Sequence, residues 1–276
     1  MKILRKRFIQ KRFDDDVTGF NFGVGLFAPP LMTAWCYELD GILIDTGITR
    51  MHREAMDIFS PLAPATILLT HHHEDHSGNA GPLSRRLGIP VFGHPYAARK
   101  LAHAYRIFPY QHLMWGKAFP ARIAPFPQVI ESRSGRYHLS SIHTPGHSKD
   151  HTVFYEASEG WLFSGDLFLG EKIKYFRADE QMAPQIASIR KILELDFHRL
   201  YCAHRPTMVG GKKALTQKLD YLENLSGEVL QLHGKGLTEK EIIAQLDTRD
   251  DRSIRWLTMD NVSFGHMVRA VLNGYK

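Results

Sequence analysis

The sequence has little cysteine and no long apolar run. Its 276 residues include only two cysteines, Cys36 and Cys202, which lie far apart and outside any C-x-x-C spacing. This argues against a disulfide-stapled secreted protein and favours two free thiols in a reducing compartment. No stretch reaches the roughly 18 apolar residues of a membrane span, and the three aspartates at 14–16 interrupt the basic start where the apolar core of a signal peptide would follow. We therefore expect a cytoplasmic protein with no membrane span.

The excess of positive over negative charge is also small. Lys and Arg number 35 against 29 Asp and Glu, a net charge of +6, and much of the excess lies in the first twelve residues, which we expect to form a solvated basic end. The other basic residues are scattered and form no aromatic-interleaved track for RNA. A small-molecule substrate is therefore favoured over a nucleic acid as partner, and the sequence leaves the oligomeric state open.

Strands and helices alternate over the first 210 residues. Apolar runs such as Trp35–Leu39, Ile67–Leu69 and Trp161–Ser164 predict strands, and Met182–Leu195 predicts a helix. Residues 96–127 are rich in aromatic residues and proline without clean periodicity, which is typical either of packing or of a substrate lid. The pattern predicts an α/β domain over residues 1–210.

The remaining residues predict helices only. Leucines recur at three- and four-residue steps from Lys212 until Gly234. Thr238 and Glu241 have capping-box spacing and open a second helix, and a third is expected from about Asn261. Residues 211–276 are therefore predicted to form a small, winged-helix-like C-terminal appendage.

Histidine, with 16 residues, is unusually abundant, and several histidines lie in one run. The segment Thr70–His76 reads THHHEDH and directly follows an apolar strand. Residues two apart in an extended segment face the same way, so His71 and His73 can close on one metal ion. Asp75 and His76, nearer the start of the next helix, can address a second ion.

Further ligand-type residues follow three later strands. His147 lies in the segment HTPGHS, Asp166 ends the segment FSGD, and His204 ends YCAH. Each comes at the end of a predicted strand, where the sites of α/β proteins collect. These residues supply what the His-rich segment still needs for a two-metal site.

The combined motifs, H-x-H-x-D-H, then TPGH, then SGD, then a strand ending in His204, resemble the metallo-β-lactamase superfamily over residues 20–210. The resemblance implies an α/β fold, the four-layer αββα sandwich of the metallo-β-lactamase type, followed here by the helical appendage. The triple histidine is similar to that of glyoxalase II. The segment Thr144–His151 and the helical C-terminus are similar to the β-lactamase-like proteins that include single-stranded RNA endoribonucleases. Ala203 and Arg205 depart from both patterns around the last histidine.

The resemblance also implies the ligand set. One metal ion would be held by His71, His73 and His147, and the second by three further residues, Asp75, His76 and His204. Asp166 would bridge the two ions, because only a carboxylate has two oxygens to offer them. Asp45, in the segment LIDTG, would support a ligand without binding metal. Four further residues are interpreted as solvated or supporting residues: His72, Glu74, His143 and His151.

A hydrolase follows from this resemblance. A hydroxide held by two divalent metal ions would attack a carbonyl carbon or phosphorus, so that no serine or cysteine nucleophile is required. Zinc is favoured, with manganese or iron as alternatives, and Asp75 is the candidate catalytic residue for moving a proton. We expect a small thioester, ester or lactone as substrate, with single-stranded RNA as the alternative. A metal-binding oxygen sensor or reductase is disfavoured, because no flavin domain accompanies the site.

Overall fold

The computed structural model describes residues 4–14, 16–26, 28–247 and 251–274. Residues 1–3 of the basic start and Asp15 of the aspartate run therefore lie outside the described residues. In the part of the chain that is described, no helix combines the length and the apolar character needed to cross a bilayer.

Two sheets and a small ribbon organise the described residues. Their strands are β1 (Leu4–Arg12), β2 (Val17–Leu26), β3 (Ala34–Leu39), β4 (Ile42–Ile44), β5 (Thr66–Leu68), β6 (Val91–Phe92), β7 (Ile130–Glu131), β8 (His138–His143), β9 (Thr152–Glu156), β10 (Trp161–Gly165), β11 (Phe176–Arg177), β12 (Arg199–Cys202) and β13 (Val262–Ser263). The first sheet runs β1 to β6 in chain order, antiparallel as far as β4 and parallel from there to β6. The second has the order β12-β10-β9-β8-β7, with β10 and β12 parallel, and β11 pairs with β13 as the ribbon.

Helices pack on the outer faces of both sheets. They are α1 (His52–Leu62), α2 (Glu74–Ser77), α3 (Ala80–Leu87), α4 (Pro95–Leu101), α5 (Pro109–Met114), α6 (Met182–Leu193), α7 (Gly211–Gly234), α8 (Glu239–Leu246), α9 (Arg252–Thr258) and α10 (Phe264–Gly274). Apolar side chains of α1 and α3 cover the first sheet, and those of α6, α7 and α10 cover the second. The inner faces of the two sheets share a third core. This is the αββα order, so the predicted fold class is confirmed.

The N-terminal strands β1 and β2 are absent from the elements that we predicted. Basic residues of the start, among them Arg5, Lys6 and Lys11, are exposed as expected, but they lie on a strand paired along its length with β2. Charges on an edge strand discourage pairing with other chains, and they remove the apolar alternation by which a strand is recognised.

The C-terminal helices pack on the second sheet. The predicted capping box is confirmed, since Thr238 N–H donates to Glu241 Oε2 (2.8 Å) and Glu241 N–H donates to Thr238 Oγ1 (3.4 Å). The helix expected from Asn261 begins instead at Phe264, because Val262–Ser263 pair with β11. Side chains of α7, α8 and α10 share one core with the second sheet. The domain boundary at residue 210 stays a prediction.

Candidate metal centre

The candidate site lies where the carboxyl ends of several strands meet. The loops after β5, β8, β10 and β12 carry the predicted ligands. Two backbone hydrogen bonds join the sheets at this end: Thr152 N–H donates to Thr70 O (2.8 Å) and Trp35 N–H donates to Ala203 O (2.6 Å). The two edges are thereby held close enough for their loops to share one site.

Alternation along the His-rich loop separates its side chains. His73 is extended (φ −60°, ψ 154°) and caps α2, which begins at Glu74. His71 Nε2 lies 2.8 Å from His73 Nδ1. His72, between them, points the other way, where its Nδ1 lies 2.9 Å from Asp150 Oδ1. The first and third histidines of the run therefore face one side together.

A first cluster consists of four buried side chains, His71, His73, His147 and Asp166, whose facing donor atoms lie within 4.8 Å of one another. His147 Nε2 lies 3.1 Å from His73 Nδ1 and 3.2 Å from Asp166 Oδ2. The donor atoms of these four side chains therefore converge on one point, as the ligands of a metal ion do.

A second cluster consists of Asp75, His76 and His204, and it adjoins the first. His76 Nε2 and His204 Nε2 each lie 3.3 Å from Asp166 Oδ1. Asp75 Oδ2 lies 3.6 Å from His204 Nε2. The two oxygens of Asp166 thus face different clusters, and the structure brings all seven predicted ligands together.

Acceptors behind three of the rings determine which nitrogen faces the clusters. The contacts are His76 Nδ1 to Asp45 Oδ2 (2.7 Å), His147 Nδ1 to Glu180 Oε2 (3.3 Å) and His204 Nδ1 to Thr33 O (2.7 Å). Because ionised carboxylates and carbonyl oxygens only accept, each Nδ1 carries a proton and donates it. The Nε2 lone pairs then point into the clusters, as metal-ligating histidines require.

Asp45 occupies the position that the resemblance assigned to it, behind a ligand. Besides His76, its carboxylate accepts hydrogen bonds from Thr70 N–H (2.9 Å) and Thr70 Oγ1 (2.8 Å). Its backbone has a φ of 59°, in the left-handed region that few residues other than glycine adopt. Such strain persists only where surrounding contacts fix it, and it is common at functional sites.

The donor set fits divalent cations. Within the described residues, His76 Nε2 and Asp166 Oδ1 are buried without a hydrogen bond, although an unsatisfied buried polar atom is costly. Three imidazoles with one carboxylate, beside two imidazoles with one carboxylate and a shared oxygen, match the ligands that zinc takes in proteins. A cation in each cluster would satisfy these atoms.

Burial and neighbouring charges shift the pKa values within the site in both directions, since the carboxylates around His76, His147 and His204 raise the pKa of these imidazoles against the effect of burial. Burial lowers the pKa of His71 well below its ordinary value, so its imidazole is neutral and can offer a lone pair. Burial alone would raise the pKa of Asp166, but the nearby His204, His76 and His147 lower it well below its usual range. The shared carboxylate is therefore ionised and attracts cations from both sides.

The four residues that we left out of the ligand set divide into two groups. His143 is exposed, and its Nε2 donates to Lys149 O (2.9 Å). The other three, His72, Glu74 and His151, are buried, so the solvated alternative is wrong for them. Burial lowers the pKa of His151 to about 3, and its neutral Nε2 accepts a hydrogen bond from Asp166 N–H (3.0 Å). His151 therefore holds the backbone of the residue that carries the shared carboxylate.

Residues from the 96–127 segment and from β11 form a wall beside the first cluster. Tyr105 Oη donates to His72 O (2.8 Å) and lies 3.1 Å from Glu74 Oε1, while Gln111 Nε2 donates to Glu74 Oε2 (3.2 Å). After burial, the charge of Arg177 is the largest influence that lowers the pKa of His73. The first cluster thus has aromatic and amide neighbours from the 96–127 segment and a cationic neighbour from β11.

Two supporting carboxylates escaped the sequence analysis. Asp150 accepts a hydrogen bond from His72 N–H (2.8 Å), and Glu180 faces His147. Neither lies in a recognisable ligand spacing. Asp150 follows the TPGH segment closely enough to have raised suspicion, whereas Glu180 lies fourteen residues beyond Asp166 and carries no signal in the sequence.

We expect Glu180→Gln to weaken metal binding at the first cluster by about tenfold or more, because the amide can present a donor to His147 Nδ1 and no longer selects the tautomer. Zinc titration against a chromophoric chelator measures this. Glu131→Gln makes the same change at an exposed carboxylate that faces His138 Nε2 (3.1 Å) outside the clusters, and it is the matched control. Equal affinities for both variants would contradict the tautomer argument.

Comparison with known proteins agrees with the geometry. The sequence model described as "Metallo-beta-lactamase superfamily" matches residues 34–204. The chain is 33% identical over 138 residues to a "Probable metallo-hydrolase YybB" of Bacillus subtilis (strain 168), a match that covers 48% of this chain and 59% of that protein. It is 27% identical over 226 residues to a "Hydroxyacylglutathione hydrolase" of Serratia proteamaculans (strain 568), covering 78% and 77%. The chain thus spans only part of the length of these curated relatives.

A solved structure extends the fold likeness to nearly the whole chain. A metallo-beta-lactamase family protein from Thermus thermophilus superposes with a TM-score of 0.59 at 20% identity, over 99% of this chain and 95% of that one. At this identity the likeness concerns the fold. The family match covers more than half of the residues and includes every predicted ligand. The chain therefore belongs to the metallo-beta-lactamase superfamily.

Proposed function

We propose that the protein is a metal-dependent hydrolase that uses two divalent cations, zinc in the first place and manganese or iron as alternatives, to cleave a small thioester, ester or lactone. The observation that carries the proposal is the position of Asp166, whose two oxygens face two clusters of donors at 3.2 to 3.3 Å. The names of the relatives, a metallo-hydrolase and a hydroxyacylglutathione hydrolase, support the reaction class.

Bound cations would lower the pKa of a shared water toward neutrality and polarise the bond to be cleaved. The chain's own residues hold the donors in place and shape the cleft. Asp75 is our proposed residue for moving a proton, because its carboxylate lies beside the second cluster, 3.7 Å from His76 Nε2 and 3.6 Å from His204 Nε2. Arg177, with an aromatic neighbour in Tyr105, would orient the polar end of a substrate.

The 96–127 segment is proposed to bound the substrate on one side. Its contacts to Glu74 through Tyr105 and Gln111 attach it to the first turn of α2. In this proposal a substrate at the metal centre contacts this wall. The segment would then help to select among the esters, thioesters and lactones that the same ligands could cleave.

Single-stranded RNA is the second candidate substrate. The exposed basic side chains of β1 favour it, because Arg5, Arg7 and Lys11 alternate along one face of the strand and offer contacts for phosphates. The strand follows the edge of the first sheet, and nothing in its pattern interleaves aromatic side chains for stacking bases. We therefore place the acyl substrates first.

We expect the purified protein to turn over small activated thioesters or esters faster than single-stranded RNA. A panel of thioesters, lactones, bis-nitrophenyl phosphate and a short RNA, each with zinc, manganese and iron, measures the rates. His73→Ala serves as the inactive control in every assay. RNA cleavage that is salt-sensitive and lost in His73→Ala, without thioester turnover, would instead establish the nuclease.

A further inference from the structure

A fully buried lysine contacts the loop that carries Asp166. Lys218, in the first half of α7, has none of its surface exposed. Its Nζ donates a hydrogen bond to Leu167 O (2.7 Å), and the carbonyl that it holds belongs to the residue directly after Asp166. Burial lowers the pKa of Lys218 to about 8. The C-terminal helix thus reaches the loop of the shared ligand through one side chain.

Stability alone does not account for this lysine. Lysine is almost never fully buried unless it is paired, and here a single backbone oxygen accepts from the ammonium group among the described residues. An apolar residue of similar length would avoid the desolvation cost, since replacing buried charges by well-packed apolar groups is often neutral or stabilising. The position therefore favours a role in the site over a role in the core.

The conformation of the loop that carries Asp166 depends on contacts with side chains from other parts of the chain. Gly165, which precedes it, has a φ of 47°, and a Cβ there would lie 2.9 Å from both His151 Nε2 and Thr70 Cβ. Glycine adopts this turn without backbone strain or a steric clash. Because glycine is the most flexible residue, its own backbone does little to fix the conformation of Asp166, which follows it. The direction in which Asp166 points must therefore be set by what holds the loop.

Three side chains hold consecutive backbone groups of this loop. They are His151, which accepts from Asp166 N–H, Lys218, which donates to Leu167 O, and the free thiol of Cys202, which donates to Phe168 O. Cys202 Sγ also accepts from His204 N–H (3.3 Å). Cys202 thus contacts both the loop that carries Asp166 and the loop that carries His204.

We propose that Lys218 is a positioning residue for Asp166: by fixing Leu167 O, it holds the carboxylate between the two clusters and thereby sets the affinity for metal. The inference rests on the proposed metal centre. It assigns to α7 a direct contribution to the site, although α7 supplies no ligand. The loss of this contact frees one of the three held backbone groups, and Asp166 then spends less time with both oxygens facing the donors.

Lys218→Met tests the proposal, because methionine keeps the length and removes the donor. We expect zinc affinity, measured by competition with a chromophoric chelator, to fall about tenfold, the lower end of losses from removing a group that supports a ligand. The d–d spectrum of the cobalt(II)-loaded protein should change as well. The Tm of the metal-free protein should not fall. Lys218→Leu, which removes the same donor, replaces it if the methionine variant does not fold.

Leu222→Ala is the matched control, since Leu222 is buried one turn further along α7. It should lower the Tm and leave zinc affinity and the cobalt spectrum unchanged. Lys218→Arg keeps a donor and should recover most of the affinity. Wild-type zinc affinity and an unchanged cobalt spectrum in Lys218→Met would overturn the positioning role alone, whereas a wild-type protein that binds none of zinc, manganese, iron and cobalt would overturn the proposed metal centre.

Discussion

Asp166→Asn should lower metal occupancy in both clusters and reduce hydrolysis by about 10³-fold, equivalent to roughly 4 kcal/mol of transition-state stabilisation. The amide is nearly isosteric with the carboxylate, but it has no charge and offers one oxygen in place of two. Because Oδ1 and Oδ2 of Asp166 face different clusters, neither cluster keeps its full donor set. Elemental analysis of the purified variant, together with its rate on the best substrate, measures both effects.

Two variants serve as controls for this result. Glu156→Gln makes the same chemical change at a buried carboxylate that accepts hydrogen bonds from Ser158 and Glu159, away from the clusters. His72→Ala removes a histidine from the ligand run itself, where the ring faces Asp150. Both should retain most of the metal and activity. If Asp166→Asn matched His72→Ala in metal content and rate, our ligand assignment would be wrong.

The purified protein should carry close to two transition-metal ions per chain and lose its activity on chelation. Seven ligand-type side chains converge where a single structural zinc site needs about four. Since metal binds the folded protein, zinc at about 100 times its Kd should stabilise the fold by about 2.7 kcal/mol. For a chain of this size, that raises the Tm by about 5 °C or more.

Mass spectrometry of the metal content and thermal melts with and without chelator measure these effects. Activity should return when zinc, manganese or iron is added back, and the metal content of the untreated protein identifies the resident metal. His143→Ala, an exposed histidine of the same region, controls for unspecific binding by imidazoles. Full activity in chelator with no bound transition metal would refute the two-metal site.

The part of the site that could be predicted is the part that follows strand ends. A short buried strand such as β5 has a strong apolar signal, and the residue type directly after it is visible in the sequence. Alternation in the extended segment then separates His71 and His73 from His72, which the structure shows facing Asp150. Local chain geometry was therefore sufficient to predict which of these histidines face the site.

The residues that sequence analysis missed act across long separations. Glu180 reaches His147 because the turn before α6 folds back over the loop, and Lys218 reaches Leu167 from a helix 51 residues away in sequence. Lys218 lies three residues after Leu215 and four before Leu222, so periodicity places it on the buried face of α7, but a lysine is almost never fully buried and its residue type therefore argued against burial. Strand β1 was missed for a local reason, because its charged residues remove the apolar alternation by which a strand paired with β2 would be recognised.

The ribbon of β11 and β13 bears on the order in which the chain matures during synthesis. Every predicted ligand has left the ribosome shortly after His204, but Arg177 pairs with Val262, which is synthesised roughly 60 residues after that histidine. At about 5–20 residues per second, this interval lasts several seconds. During it every donor residue has been synthesised, but the wall beside them has no partner strand and the helices α8 and α10, which share the core of the second sheet, are still missing. The wall that contains Arg177 is therefore completed by the last part of the chain to be synthesised.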